Sequence, residues 1–519
     1  MPESDLPDIP NRLTTDFAES FDVIVAGYGL AGAAGAIAAA DHGARVLLIE
    51  KAPIPGGISI CAGGGIRITR KPAEALKYLK ATNNDTTPDD VLETFAHGMT
   101  EIETFMRGLA EVNGAKIELL DRPANYDLPG YDSLSYLEVA EVPGFDIAET
   151  YPHMRGLRLG PNLFKLMNDS IDARDIEVRF STPAVRLITN ETGEVRGLWV
   201  RDPDGNLKAI AARRGVILAC GGFEADPELQ SQHWQIRPVR PVATTSNTGD
   251  GLRMAQDVGA ALWHMWHMHG SYGFKHPDPD CPLGIRVKHL PGWIPNVQAS
   301  AVPMAWILLD KSGKRFMNEY PPYLQDTGSR PLEAFNAASK SFPRIPAFMI
   351  ADEKTRKMYP LGSPVSNDAG VAPMTWSADN GEEIERGILK QVNGFEELAA
   401  LIGCDATAVQ ETLDAWNAAC ALKTDPDFGR PAESMVPIKT PPFVVGEIWP
   451  VVSNTQGGPR HDARQRILNA YHEPIPRLYE AGEIGSIFGF LYFSGANLAE
   501  CIVGGRIAAR EATALAPWA

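Results

Sequence analysis

The sequence predicts an α/β protein in which a Rossmann-like nucleotide-binding domain carries an inserted α+β cap. Three observations lead there. Residues 21–51 run as apolar strand, glycine-rich turn, alanine-rich segment, second apolar strand and acid. Glycine-rich turns and a long apolar helical pattern return after residue 455, and between the two ends the composition shifts to His-, Trp- and Pro-rich stretches. The nucleotide domain is therefore expected over residues 17–268 and 451–519, with the cap over 269–450.

The first stretch, FDVIVAGYGLAGAAGAIAAADHGARVLLIEK, holds Gly27, Gly29, Leu30, Ala31 and Gly32 in a GxGxxG turn between strand and helix. In a dinucleotide-binding βαβ unit the first Gly makes the tight turn and the second admits a pyrophosphate against the backbone. The third lets helix and strand pack closely, and the helix start offers its N–H groups to the phosphates. Glu50 ends the next strand, roughly twenty residues on, where an acid can accept from ribose hydroxyls. The uncharged run at 23–40 is long enough to suggest a membrane span, but four glycines interrupt it and a strand follows, so no transmembrane segment is read.

Lys51 then leads into PIPGGISICAGGG, where Gly57, Ser59, Gly63 and Gly64 allow backbone to approach a flat ligand. Residues 72–116 read as helical, with a start signal at Thr87-Pro88-Asp89-Asp90. Residues 117–160 read as a long irregular, Tyr-rich loop. A helix and strand follow, and STPAV brings Val185 towards the nucleotide. Two strands joined at Asp204-Gly205 read as a hairpin, and the later one ends in an apolar run through Ala219 and Gly221. SNTGDG, with Asn247 and Asp250, opens another helix. His264, His267 and His269 lie in HMWHMH, which alternates as a strand and is read as structural. FEELAALIGCDATAVQETLDAWNAAC gives two helical patterns.

With 48 basic against 65 acidic residues the net charge is −17, which excludes the basic stripe of a nucleic-acid surface. The six cysteines are scattered without ligand spacing, so neither a metal nor a disulfide framework is expected. Residues 1–16 lack a signal-peptide pattern, and a reducing, cytoplasmic location is expected.

Together, GYGLAGxxGA with its ribose acid, EK…GGISxxAGG, SNTGDG, RFMNE at 315–319, TQGG at 455–458 and AGEIGS…SGANLAECIVGGRIA resemble the FAD-dependent fumarate reductase and 3-ketosteroid dehydrogenase superfamily over nearly the whole chain. The resemblance implies an FAD domain built from both ends of the chain, a cap between them, and the flavin at their cleft. Residues 56–66 hold no His of the kind that links covalent flavin, so non-covalent FAD is implied. Glu483 corresponds to an acceptor for the ribityl hydroxyls. Ala496, Asn497 and Leu498 begin a helix whose positive end would face the flavin pyrimidine ring.

At the substrate site the resemblance separates subfamilies. Fumarate reductase-like members hold dicarboxylates with cations, and the matching positions here are Tyr323, Tyr492 and Asn454, so those cations are absent. Tyr323 and Tyr492 are what 3-ketosteroid dehydrogenase-like members carry, and Tyr492-Phe493-Ser494 is similar to the Δ4-(5α) branch. The implied reaction is α,β-dehydrogenation of a small hydrophobic ketone such as a 3-oxosteroid or cyclohexanone. Tyr492 and the Gly495 N–H would polarise the carbonyl, Tyr323 would act as base with a loop residue such as Tyr126 or Tyr131, and the hydride would pass to flavin N5. Tyr320 takes the base role if the loop register differs. An external electron acceptor is required. Two other readings stay open: an ene-reductase working in the opposite direction, and a non-catalytic FAD-fold binding protein.

Overall fold

The computed structural model describes residues 9–12, 16–156, 159–288, 290, 301–320 and 329–518. Strand Glu19–Ala26 is buried along its second half and pairs in parallel with Val46–Ile49 on one side and Leu207–Leu218 on the other. Val46–Ile49 continues in parallel to Ile176–Arg179, and Leu207–Leu218 to Pro474–Glu480, with Arg466–Leu468 antiparallel at the edge, so one side of the sheet comes from the far end of the chain. Such strands, covered on both faces, read as unbroken apolar runs rather than alternating ones. Val195–Arg201 and Ala184–Thr189 extend Leu207–Leu218 antiparallel, and the Asp204-Gly205 hairpin joins the first of them to it.

Helix Leu30–Asp41 packs against the C-terminal helix Ala496–Ala514. Small residues permit this: a Cβ at Gly505 would come within 2.6 Å of the Ala31 carbonyl oxygen. The alanine-rich composition that mimics a membrane span thus serves close helix–helix and helix–sheet packing. Ile37, fully buried, lies in the same cluster, and truncating such a residue to Ala costs about 2–5 kcal/mol. Among the described residues no helix is long and apolar enough to cross a membrane.

The second sheet belongs to the cap. The 13-residue strand Phe443–Thr455 runs through it and pairs with Ala347–Asp352, Leu389–Val392 and Met268–Lys275 antiparallel and with Arg240–Pro241 in parallel. The cap sheet therefore draws on chain before residue 269 and continues past 450. Helices Phe395–Ile402 and Ala406–Leu422 bury Leu398, Leu413 and Trp416 against it. The RFMNE segment has a structural role here. Arg315 bonds Glu319 and Asp425, and Arg430 bonds Glu319, with every partner almost fully buried. Removing one member of such a buried set costs about 3–5 kcal/mol.

One local expectation is refined and two are corrected. The start signal at Thr87-Pro88-Asp89-Asp90 opens a helix at Asp89, as expected, and 72–116 holds three helices, Pro72–Asn83, Asp89–Gly98 and Ile102–Ala110, the first ended where Asn84 takes a left-handed conformation. The stretch 117–160 is not one loop: Lys116–Leu120 and Ile66–Thr69 each pair antiparallel with Leu134–Glu141. HMWHMH is not one strand, since His267 N–H turns back to the His264 carbonyl and the strand starts only at Met268.

Candidate functional site

Two cavities adjoin at the junction of the layers. The first opens above the C-terminal ends of the parallel strands. Gly27 has φ +106, and any Cβ there would overlap the Ala219 carbonyl oxygen. Gly32 does not line the cavity; it packs beneath, where a Cβ would overlap the Gly27 carbonyl oxygen. Leu30 N–H donates to Ser59 Oγ at 3.2 Å. The next amides of the helix, at Ala31 and Gly32, belong to the first turn, which lacks intrahelical acceptors. This is a site for a phosphate anion.

Glu50 accepts from Tyr28 N–H and Ala52 N–H, both at 2.8 Å, and burial pushes its carboxyl up against the opposing pull of those amides and Lys51. Lys51 Nζ donates to Thr248 Oγ1 at 2.8 Å and to Asp250 Oδ2 at 2.6 Å, tying the first βαβ unit to the SNTGDG turn. Gly29, Gly57, Ala219, Gly221 and Asn247 also line the cavity. Val185 does not; its neighbours Thr182 and Ala184 do. Asn367 of the cap is a wall residue without a sequence signal, donating to the carbonyls of Pro55 and Gly57, each at 2.9 Å.

Glu483, with Ile58, Ser59 and Cys501, lines both cavities. Its Oε1 accepts Thr455 N–H at 2.9 Å, and nearby Glu224 accepts from Asn247 Nδ2 at 2.7 Å. Burial pushes both carboxyls up, and their mutual repulsion raises Glu483 further.

The second cavity is bounded by Gly63, Gly64, the start of the C-terminal helix and the cap sheet. Gly495, at φ +82, caps that helix. A Cβ at Gly495 would collide with the Gly65 carbonyl and the Tyr136 ring. Asn497 and Leu498 line the cavity, while Ala496 is buried behind them. Tyr492 also lines it, and its hydroxyl accepts Gly495 N–H at 3.2 Å. Tyr126 stands one layer back, donating to the Tyr492 carbonyl at 2.9 Å.

Tyr131 is partly buried and packs against the core of the FAD-side domain. Tyr320 is not brought to the cavity: its hydroxyl accepts Val302 N–H at 3.1 Å within the cap core. Tyr323 lies outside the described residues.

Several residues at and behind the cavity wall carry no signal in the sequence. Arg67, 2 % exposed, donates to the carbonyls of Ser494, Arg122 and Pro123, and its guanidinium lies 3.8 Å from the Tyr136 ring centroid. It props the 492–495 turn, as does Tyr136, whose hydroxyl donates to the Ser494 carbonyl at 2.8 Å. Arg122, Arg286, Glu138 and His269 face the same space. The three motif-matched positions carry no cation, as expected; strand and loop residues remote from the family motifs nevertheless bring two guanidinium groups, of Arg122 and Arg286, to this cavity. His264 and His267 are structural as expected. Each donates Nδ1–H to a carbonyl, of Ser486 and Phe488, and burial lowers both, His267 to about 3.

The two cavities share a wall at Ile58, Ser59, Glu483 and Cys501, and together they offer anion-binding amides at one end, acids for sugar hydroxyls between, and a positive helix end at the other. That donor set fits FAD. Among the described residues no group of side chains could hold a metal ion.

Comparison with known proteins agrees. The FAD binding domain family matches residues 22–498. A fumarate reductase (cytochrome) of Shewanella frigidimarina is 26% identical, over 95% of this chain and 77% of that one. A 3-oxosteroid 1-dehydrogenase of Mycolicibacterium smegmatis is 26% identical, over 96% and 98%. The fold is similar to that of 3-ketosteroid delta1-dehydrogenase from Sterolibacterium denitrificans in complex with 1,4-androstadiene-3,17-dione, with a TM-score of 0.78 and 21% identity over 96% of this chain and 100% of that one.

Proposed function

The chain belongs to the FAD binding domain family and is an FAD-dependent oxidoreductase; on that premise we propose that it dehydrogenates a ketone at the carbons α and β to its carbonyl. The observation that carries this reading is the pairing of Tyr492 and Gly495. A hydroxyl and a backbone N–H lie 3.2 Å apart at the start of a helix, in a cavity that shares a wall with the nucleotide cavity. Two such donors suit one carbonyl oxygen, and stabilising the negative charge that develops there usually contributes more to the rate than any other single effect. Gly495 N–H is fixed by the left-handed cap, and Tyr492 by the Gly495 and Tyr126 contacts. Bound FAD supplies the acceptor for the hydride leaving the β carbon. The α proton needs a base in the same cavity, the role the family resemblance gives to Tyr323.

Val242, Ala243 and Val365 give the cavity an apolar wall, suited to a ring system such as a 3-oxosteroid or cyclohexanone. Arg122 and Arg286 favour a second reading, reduction of a double bond conjugated to a carboxylate, since a cation offsets the cost of burying that anion. The two are separated by assaying the enzyme with an artificial electron acceptor against saturated cyclic ketones and, as the dithionite-reduced enzyme, against fumarate and monocarboxylate enoates. The dehydrogenase reading expects turnover with the ketones alone; turnover with the enoates alone establishes the second.

A further inference from the structure

We propose that Glu224 is a positioning residue of the cofactor site: it and Glu483 hold one proton between them, and the shared hydrogen keeps Glu483 aimed at a hydroxyl of bound FAD. The inference rests on the FAD reading and is independent of which substrate is turned over. It is carried by the way two buried carboxyls meet behind the wall common to both cavities.

Glu224, 1 % exposed, lines neither cavity, whereas Glu483 lines both. They meet at Gly222, where a Cβ would stand 2.4 Å from Glu483 Oε1 and 2.8 Å from Glu224 Oε2. The missing side chain is thus the space in which the two oxygens approach. Two carboxylates only accept, so these oxygens can bond to each other only through a proton. The other contacts say where it lies. Glu224 Oε1 accepts Asn247 Nδ2 at 2.7 Å, and Glu483 Oε1 accepts Thr455 N–H at 2.9 Å. As a carboxylate oxygen, Glu224 Oε2 is buried without a donor. A hydrogen between it and Glu483 Oε1 satisfies both.

Charge points the same way. Burial raises both carboxyls, Glu224 to about 7, and each acts on the other through a side-chain hydrogen bond. The cation that acts on Glu224 is Lys51, already paired with Asp250 at 2.6 Å. Glu500 and Cys501 of the C-terminal helix face Glu483 and bring no positive charge. Burying two carboxylates here costs far more than burying one, and nothing nearby offsets it; the proton belongs to the pair rather than to either acid. With it in place, the Glu483 contacts to protein all fall on Oε1, from Thr455 and from Glu224. The carboxyl is then fixed in rotation, and Oε2 is left to accept from a cofactor hydroxyl. What Glu224 supplies is a hydrogen and not a charge, so an amide in its place can do the same work.

The test reads the proton and the cofactor separately in the holoenzyme. Infrared difference spectra of wild type minus Glu224→Gln, at mildly alkaline pH where ordinary carboxyls are ionised, are expected to show the loss of a protonated-carboxyl C=O band that shifts in deuterium oxide. Release of FAD on dilution is followed by the rise in flavin fluorescence. Glu224→Gln is expected to release at the wild-type rate, because its Oε1 accepts from Asn247 and its Nε2 donates to Glu483. Glu224→Met, of similar volume but with no hydrogen to give, is expected to release FAD about 10- to 100-fold faster, the size of a hydrogen bond to a charged group. A difference spectrum without the carboxyl band, release from Glu224→Gln as fast as from Glu224→Met, or wild-type release from Glu224→Met overturns the inference. The spectrum needs only the amide variant, so it decides the matter even if Glu224→Met does not fold. A wild-type protein that holds no flavin would instead overturn the cofactor reading.

Discussion

The nucleotide end and the substrate end of the site are built in different ways. At the nucleotide end the ligand-facing groups are largely backbone. Gly27 turns, the helix at Leu30 presents amides, and Glu50 is held by two N–H groups at the strand end. Backbone geometry of this kind needs small residues at fixed spacing, which is a pattern along the chain. At the substrate end the groups are side chains converging from the 116–141 segment, the cap strands and the C-terminal turn. No spacing rule connects Arg122, His269, Arg286 and Tyr492. The cofactor end is thus set by a local motif, while the groups at the other end meet only through the packing of segments distant in the chain.

Substitutions at either end probe this difference. The largest effect is expected from Gly27→Ala, where the positive φ and the Ala219 carbonyl leave no room for a methyl group. The purified protein should be largely free of flavin, read from the flavin-to-protein absorbance ratio, and full occupancy would show that the turn can relax. At the other end, Tyr492→Phe should leave flavin content intact and lower kcat by about 10²–10³, the scale of one lost oxyanion donor.

The same contrast explains what is legible in the sequence. The strand, glycine turn, helix and acid of 21–51 form where their pattern puts them, as do the Asp204-Gly205 hairpin, the two cap helices and the C-terminal helix start. All of these are local patterns. The 117–160 segment hides its strands because Leu134–Glu141 pairs back to Ile66–Thr69, far upstream in the chain, and its Tyr and Pro content masks their alternation. His269 reads like His264 and His267 only while strand periodicity runs through HMWHMH. The turn at 264–267 breaks that period and sends the three rings to different places. RFMNE carries the family resemblance as a local pattern, but the buried ion cluster its Arg and Glu form with Asp425 and Arg430 joins residues more than a hundred apart and leaves no spacing signal.

A smaller effect is expected at the boundary between the two ends, where Glu224 and Glu483 meet. Burial raises both carboxyls from the ordinary value of 4.5, so the folded chain holds protons that the unfolded chain gives up. More protons bound in the folded state means that this contribution is full below about pH 4.5 and is lost as pH rises through the raised values. Glu224→Gln, neutral throughout, should therefore show a shallower fall of Tm between pH 5 and pH 8 (a window of roughly three units set by the ordinary carboxylate pKa). An unchanged slope would mean that both acids ionise freely in the folded protein.

Whether the substrate end clamps a ketone oxygen between Tyr492 and Gly495 is decided by anaerobic stopped-flow mixing of the oxidised holoenzyme with a saturated cyclic ketone, a 3-oxosteroid first. The flavin absorbance is expected to bleach in the wild-type protein and about 10²–10³ times more slowly in Tyr492→Phe, and succinate is expected to leave the spectrum unchanged. Bleaching by succinate with no response to any ketone, or equal rates in wild type and Tyr492→Phe, would contradict the clamp.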